Sequence, residues 1–257
     1  MKLAQNTFTQ ALRDNTAQIG LWISLCNNYT AEIIAPSGYD WVVLDMEHSP
    51  NSLDGVIGQL QGFATSSTTP IVRPPWNDTV MVKRLLDIGA PGLLFPMIQN
   101  VEEAQAAVAA TRYPPRGVRG VGGTTRANAF GRTTDYFESV ENETTIIVQV
   151  ETRAALSCAL DIAAVDGVSG VFFGPADIAA DLGFLGQPLH EEVWNAIRPV
   201  AQQLMACEVP VGTLVPNAAF AAQLLNEGFT FVACGSDTGI LAKGADNLLA
   251  SVKEKLS

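Results

Sequence analysis

Short apolar runs alternate with stretches of helical periodicity along the whole chain, and this alternation constrains the fold more than any other feature. The apolar runs cover 19–25, 41–46, 70–73, 92–97, 145–150, 170–173, 209–215 and 229–233. Helices are predicted over 8–15, 30–35, 53–64, 79–88, 101–111, 153–164, 191–208, 218–226 and 238–256. The runs are apolar throughout, which is typical of strands buried on both faces of a parallel sheet. Eight strands, each followed by a helix, predict an α/β fold of the (β/α)8 or TIM-barrel type.

The length of 257 residues suits one such barrel, so we expect a single domain over 1–257. An open doubly wound sheet is the alternative fold, but it would leave two edge strands. No Gly-x-Gly-x-x-Gly motif follows the first apolar run, which argues against a dinucleotide site. The segment 113–143 is predicted to be a long irregular loop, and loops of this length are often functional.

The composition excludes several classes of protein. A net charge of −11 argues against a nucleic-acid partner, because Lys and Arg supply affinity for a phosphate backbone. The four cysteines, Cys26, Cys158, Cys207 and Cys234, form no Cys-x-x-Cys pair and are expected to be buried free thiols of a reducing compartment. No signal peptide or membrane span is apparent, so we expect a soluble, cytoplasmic protein.

Polar side chains follow several of the predicted strands, where the active sites of barrels lie. They are Asp45, Glu47 and His48 after the second strand, Arg73 after the third, Gln149 and Glu151 after the fifth, and Asp177 after the sixth. Alone, the first group is equally consistent with a polar surface loop. Because the carboxyl ends of barrel strands meet at one mouth, the whole set favours a site.

Glu151 and Asp177 form the clearest pair, since each ends an apolar run and the two strands are neighbours. Two buried carboxylates repel each other unless a cation or a proton lies between them. Oxygen ligands with open positions suit Mg²⁺ or Mn²⁺, with Co²⁺ possible. The alternative is that each carboxylate caps a helix at the surface.

Arg73 ends a core strand, and a buried arginine needs an anion. That anion is either a ligand oxygen or a structural partner, Asp45 or Asp78. Gln149 is expected to donate to a ligand oxygen or to orient Arg73. The backbone N–H groups of Gly174 and Ala176 offer close approach to a small anion.

His48 is the expected proton carrier near neutral pH, whereas His190 is interpreted as a surface or capping residue. Trp22 and Leu214, at other strand ends, are expected to line the substrate pocket. None of the five lysines ends a predicted strand, so a Schiff-base mechanism has no candidate.

Six motifs together resemble a known family. They are Asp-Met-Glu-His-Ser-Pro-Asn at 45–51, Val-Arg-Pro-Pro-Trp-Asn-Asp at 72–78, Leu-Asp-Ile-Gly-Ala at 86–90, Arg-Tyr-Pro-Pro-Arg-Gly-Val-Arg-Gly at 112–120, Gln-Val-Glu-Thr at 149–152 and Gly-Pro-Ala-Asp at 174–177. The chain is similar over 20–242 to the HpcH/HpaI family of class II pyruvate aldolases, the 4-hydroxy-2-oxoheptane-1,7-dioate and 2-keto-3-deoxyglucarate aldolase group.

This resemblance implies roles for the polar residues at the mouth. Glu151 and Asp177 would hold a divalent metal that pyruvate chelates, and Arg73 would stabilise the enolate. Gln149 and the Ala176 amide would hold the pyruvate part. His48 would be the base, directly or through water.

The resemblance also implies that the site is shared between subunits. Asp87 of a neighbouring subunit would raise the basicity of His48, and Asp45 would orient His48 within its own subunit. From the residues alone, Asp87 is only a carboxylate before a glycine that ends a helix. The family forms homo-hexamers, trimers of dimers that exchange C-terminal helices. Met46 and Ser49, along with segment 122–127, depart from the family pattern on the aldehyde side.

We therefore expect metal-dependent, reversible aldol cleavage of a 4-hydroxy-2-oxo acid to pyruvate, or a close 2-oxo acid, and an aldehyde, with no organic cofactor. Glu47 is expected to contact the metal ligands at most and not to bind the metal itself. Two alternatives stay open. One is a lyase of the citrate-lyase or malyl-CoA-lyase type that acts on a CoA ester. The other is a non-catalytic barrel that binds a keto acid as a sensor or scaffold.

Overall fold

Eight parallel strands close into a barrel in sequence order in the computed structural model, which describes residues 1–256. The strands are β1 Gln18–Ile23, β2 Trp41–Asp45, β3 Thr69–Arg73, β4 Gly92–Phe95, β5 Thr145–Val150, β6 Gly170–Phe173, β7 Val211–Leu214 and β8 Phe231–Ser236. Each strand pairs in parallel with the next, and β8 pairs with β1. The predicted (β/α)8 barrel is confirmed.

Helices surround this barrel and connect its strands. They are α1 Thr7–Arg13, α2 Asn28–Ile34, α3 Leu53–Phe63, α4 Thr79–Asp87, α5 Val101–Thr111, α6 Tyr136–Glu143, α7 Arg153–Ser157, α8 Ala159–Ala163, α9 Pro175–Asp181, α10 Glu191–Ala206, α11 Ala218–Asn226 and α12 Asp237–Leu256. Short 3-10 turns cover Ala35–Ser37 and Arg126–Asn128. No helix within residues 1–256 has the length and apolar character needed to cross a membrane.

Large apolar side chains fill the barrel interior from alternate positions of the strands. This inner cluster contains Phe8, Leu12, Trp22, Trp41, Val43, Ile71, Leu94, Ile147, Phe172, Phe231 and Ala233. Phe8 and Leu12 come from α1, and Phe8 stacks on Trp41 with ring centroids 5.3 Å apart, so α1 closes the barrel from below. By the same alternation, the last inward-facing side chains of the strands lie at the upper opening of the barrel.

Three local predictions were wrong. Segment 113–143 is not irregular throughout, because α6 occupies its last eight residues and is anchored by the buried Tyr136. The helix predicted over 153–164 is split into α7 and α8, since Cys158 has non-helical backbone angles of φ −121° and ψ 18°. Helix α9 was not predicted; Pro175 occupies its first turn, where the missing N–H does no harm.

The cysteines and the last helix are more exposed than the sequence suggested. All four cysteines are unpaired, as predicted, but Cys207 is exposed and the other three are only half-buried. Helix α12 buries a single one of its described residues, Asp237. Its exposed apolar side chains are those of Ile240, Leu241, Leu248, Leu249, Val252 and Leu256. An apolar helix face of this length is unusual on an isolated subunit.

Candidate active site at the upper end of the barrel

Asp45 and Arg73 form a buried ion pair at the ends of β2 and β3, where the sheet register places them side by side. Arg73 Nε donates to Asp45 Oδ1 and Nη2 donates to Oδ2, each at 2.8 Å. Burial raises the pKa of Asp45, but the hydrogen bonds and charge of Arg73 outweigh it, so the pKa lies below its ordinary value. Of the two structural partners considered for Arg73, Asp45 is present. Asp78 instead caps α4 through the Met81 N–H.

The third nitrogen of Arg73 faces a second carboxylate. Its Nη1 lies 2.7 Å from Glu47 Oε2, and the guanidinium carbon lies 4.9 Å from the centre of the Trp22 ring. Trp22 is buried against Phe172. Trp22, which was expected to line the substrate pocket, supports the guanidinium group from inside the barrel. Leu214, at the end of β7, is half-buried beside the same inner cluster.

The His48 imidazole is exposed and faces Glu47, not Asp45. Its side chain is 67% accessible, and Nε2 lies 3.8 Å from Glu47 Oε1. Of the groups of His48, only the backbone N–H donates to Asp45 Oδ1, at 3.5 Å, so within this chain Asp45 does not contact the imidazole that it was expected to orient. The reason is the pleat: Asp45 points into the barrel, whereas His48 lies beyond the strand. Burial raises the pKa of Glu47 despite the nearby Arg73 charge.

Glu151, just after β5, is the most deeply buried carboxylate of the site, with 1% of its surface accessible. Its Oε1 accepts from the Met97 N–H at 2.7 Å, and its Oε2 accepts from Gln149 Nε2 at 2.6 Å. Burial raises its pKa to about 8, and the negative charges of Asp177 and Glu47 act in the same direction. A carboxyl with such a pKa holds a proton at neutral pH unless a cation replaces it.

Asp177 follows β6, as predicted, and lies in the first turn of α9. Its charge still raises the pKa values of both Glu151 and Glu47, so the three carboxyl groups form one acidic cluster. The alternative helix-capping role fails for Glu151, since Thr152 caps the following helix. It fails for Asp177 as well, because the residue before α9 is Gly174 and no side chain caps that helix.

The two other predicted ligand contacts are rearranged. Gln149 donates from its NH₂ group to Glu151, and its buried Oε1 has no partner among the described residues. Gly174 N–H donates to Val150 O at 3.2 Å, so it is not free to bind an anion as expected. The Ala176 amide lies in the first turn of α9, where N–H groups lack partners within a helix.

Gly174 has a different function, which is steric. A Cβ atom at this position would lie 2.5 Å from Glu151 Oε2 and 2.9 Å from Glu151 Cβ. Its φ of −94° is open to any residue, so space and not backbone conformation requires glycine here. The absence of a side chain lets the Glu151 carboxylate lie directly against the turn that carries Asp177.

Comparison with known proteins agrees with this geometry. A model of the HpcH/HpaI aldolase/citrate lyase family matches residues 18–244. The chain belongs to this family. A 4-hydroxy-2-oxo-heptane-1,7-dioate aldolase of Salmonella newport is 48% identical over 256 residues, 98% of this chain and 97% of that protein.

Solved structures of the HpcH/HpaI family superpose closely on the chain. A family protein from Burkholderia cenocepacia gives a TM-score of 0.93 at 38% identity, over 97% of this chain and 100% of that one. An HpcH/HpaI aldolase from Desulfitobacterium hafniense gives 0.89 at 28% identity, over 95% and 96%. The chain is thus an enzyme, a metal-dependent carbon–carbon lyase of the aldolase class, as the resemblance implied.

The residues of this HpcH/HpaI site fit a hard divalent cation. Within residues 1–256, no group of three His, Cys, Asp or Glu side chains is arranged to hold a metal. Glu151 and Asp177 provide two carboxylates, and Mg²⁺ is usually held by one or two carboxylates together with substrate oxygens. The burial of Glu151 beside Asp177 and the space left by Gly174 are the observations that support such an ion.

Asp87 lies far from His48 within one chain. It is the last residue of α4, which runs back from the end of β3 to the start of β4. Asp87 is therefore at the lower end of the barrel, whereas His48 follows the upper end of β2. There it accepts a 2.8 Å hydrogen bond from Arg119 Nη2, a contact that sequence reasoning missed. The Val-Arg-Gly step at 118–120, in a motif of the family resemblance, was the available signal.

Proposed function

We propose that the protein uses Mg²⁺ or Mn²⁺ to cleave a 4-hydroxy-2-oxo acid reversibly into pyruvate and an aldehyde. The observation that carries the proposal is the buried Arg73 guanidinium held by Asp45 beside the acidic cluster of Glu151 and Asp177. Positive charge fixed in a water-poor site is suited to a developing enolate oxygen. The 48% identity to a 4-hydroxy-2-oxo-heptane-1,7-dioate aldolase supports the same class of substrate.

Arg73 has one nitrogen to offer the substrate. Asp45 holds Nε and Nη2 in a two-point contact, which fixes the plane of the guanidinium group. Nη1 is held only by Glu47. The Glu47 side chain is more exposed than that of Asp45 and makes a single contact with Arg73. The oxygen of the 2-oxo group therefore approaches Nη1 and displaces Glu47. Asp45 positions the arginine, and Glu47 holds the place of the substrate oxygen.

In this proposal His48 acts at the C4 hydroxyl of the substrate, away from the 2-oxo acid end. The imidazole takes the proton of the C4 hydroxyl, directly or through water, and the C3–C4 bond breaks. The C4 carbon leaves as the aldehyde, and the electron pair of the broken bond becomes the pyruvate enolate. A proton returned to C3 completes the methyl group of pyruvate. Gln149 and the Ala176 N–H hold the carboxylate end. Glu151 and Asp177 would hold a divalent cation, which would supply Lewis-acid polarisation of the 2-oxo group.

We further propose that the enzyme works as a homo-oligomer, a hexamer by the family resemblance, with α12 packed on a neighbouring subunit. The exposed apolar face of α12 supports this, as does the position of Asp87 at the end of the barrel opposite to His48. In this arrangement Asp87 of one subunit would complete the site of another. Light scattering of wild type and of Leu248→Glu tests the assembly, which the variant is expected to dissociate.

Retro-aldol turnover of 4-hydroxy-2-oxo-heptane-1,7-dioate, followed by coupled reduction of the released pyruvate, tests the proposed function. Activity should vanish after exhaustive EDTA treatment and return with Mg²⁺ or Mn²⁺. Full turnover after metal removal would refute the metal-dependent mechanism. Turnover of a CoA ester but not of the free acid would favour the citrate-lyase-like alternative.

A further inference from the structure

Arg119 is a fully buried arginine at the lower end of the barrel, outside the cluster described above. Its side chain has 0% accessibility, and Nη2 donates both to Asp87 Oδ1 at 2.8 Å and to the Tyr136 hydroxyl at 3.1 Å. The guanidinium carbon lies 4.6 Å from the centre of the Tyr113 ring. The hydroxyl and the ring therefore fix this side chain on two sides, and it in turn fixes one oxygen of Asp87.

Stability alone does not explain this arginine. Nε and Nη1 of Arg119 are buried and have no hydrogen-bond partner among residues 1–256. Unsatisfied buried donors are destabilising, and buried ion pairs are often no more stable than apolar residues of the same volume. The hydrogen bond from Nη2 to Asp87 is therefore the contact of this arginine that needs an explanation.

The geometry around Asp87 indicates that task. Oδ1 is bound to Arg119, while the side chain keeps 26% of its surface accessible. Oδ2 lies close to Gly122, where an added Cβ would be 3.6 Å from this oxygen. One oxygen is thus anchored inside the chain, while part of the side chain remains accessible. A carboxylate anchored in this way is oriented to accept a hydrogen bond from another molecule.

We propose that Arg119 is a positioning residue that aims the Asp87 carboxylate at the His48 imidazole of a neighbouring subunit. This inference rests on the proposed function, in which that aspartate completes the site of its neighbour. Arg119 touches neither substrate nor metal and acts through Asp87 alone. The other polar groups near this end of α4 are Tyr113, Tyr136, Lys83 and Arg126, of which Arg126 donates to Ile88 O.

A double-mutant cycle with Arg119→Met and Asp87→Asn tests the proposal in the assembled, metal-loaded enzyme. Loss of a residue that orients a functional side chain typically reduces activity by about 10- to 100-fold, and we expect a fall of this size in kcat for each single variant. The double variant should be no more than about twofold slower than Asp87→Asn, because the two residues act in series. Arg198→Met, which removes a surface arginine paired with Glu227, is the matched control and should keep wild-type kcat.

The pH profile separates positioning from a purely structural role. If the carboxylate no longer faces the imidazole, the acid limb of kcat/KM should move to lower pH in Arg119→Met as it does in Asp87→Asn. Multiplied losses in the double variant, or an unmoved acid limb, would overturn the proposal.

If Arg119→Met fails to assemble, Tyr136→Phe tests the proposal instead. This substitution removes one contact of Arg119 Nη2. It should lower kcat in the wild-type background but not in the Asp87→Asn background. An equal effect in both backgrounds would refute the inference. Inactive wild type would instead refute the proposed function.

Discussion

Raising the pH should destabilise the metal-free protein through Glu151. The carboxyl group has a pKa of about 8 in the folded chain, against an ordinary value near 4.5, because it is buried beside other carboxylates. The folded state therefore binds a proton that the unfolded state has already lost between these two values. The contribution of this proton to stability is fully present below the pKa of the unfolded state, and it is lost as the pH rises through the pKa of the folded state.

The size of the effect follows from the shift. Between pH 5 and 8 the free energy of unfolding should fall by up to about 1.4 kcal/mol per pH unit through this one group. Urea denaturation in EDTA at several pH values measures the fall. Glu151→Gln is the matched control, because an amide does not titrate and still accepts from the Met97 N–H. The stability difference between wild type and variant should shrink, or reverse, as pH rises.

Divalent metal should reverse this loss. A cation on Glu151 and Asp177 replaces the retained proton, so its binding at pH 7 should release close to one proton per site. Calorimetry in buffers of different ionisation enthalpy measures the proton release. A wild-type stability that runs parallel to that of Glu151→Gln over pH 5 to 8, or metal binding without proton release, would contradict the reasoning.

Three further predictions concern the site. Arg73→Met should lower kcat by about 10²- to 10³-fold, the usual loss for one preorganised donor to an oxyanion, and stopped assays of pyruvate formation would show it; near-normal kcat would exclude the enolate role. His48→Ala should lose C–C cleavage yet bind pyruvate and Mn²⁺ as wild type does, which paramagnetic relaxation can measure; weakened binding would give His48 a different role. Gly174→Ala should weaken Mn²⁺ affinity by at least about tenfold, because its Cβ would displace the Glu151 carboxylate; an affinity equal to that of wild type would count against the steric role of Gly174.

The barrel was predictable from the sequence because fully buried parallel strands leave uninterrupted apolar runs such as 145–150, which matches β5 residue for residue. Short helices were not: α6 and α9 are eight and seven residues long, too short for periodicity to establish. Few buried residues anchor them: Tyr136 in α6, and Pro175, Ile178 and Ala179 in α9.

The membership of the site was also predictable, but the pairing within it was not. Residues at strand ends must meet at one mouth, which brought Arg73 and Glu151 into the candidate set. Which carboxylate holds which nitrogen depends on the pleat and on loop geometry. The resemblance assigned Asp45 to His48, whereas the chain pairs Asp45 with Arg73, a partner that the residues alone had suggested, and leaves Glu47 facing the imidazole. The contact between Asp87 and Arg119 joins α4 to a loop 32 residues away, which no local pattern predicts.

Hydrogen–deuterium exchange at the methyl group of pyruvate tests the central claim most directly, because it reports enolate formation without any aldehyde. The measurement is proton NMR of pyruvate in D₂O with enzyme and added Mg²⁺. We expect the methyl signal to decay with the metal present and to persist after EDTA treatment or in the Arg73→Met variant. Persistence of the signal with wild type and saturating metal would contradict the proposed enolate chemistry.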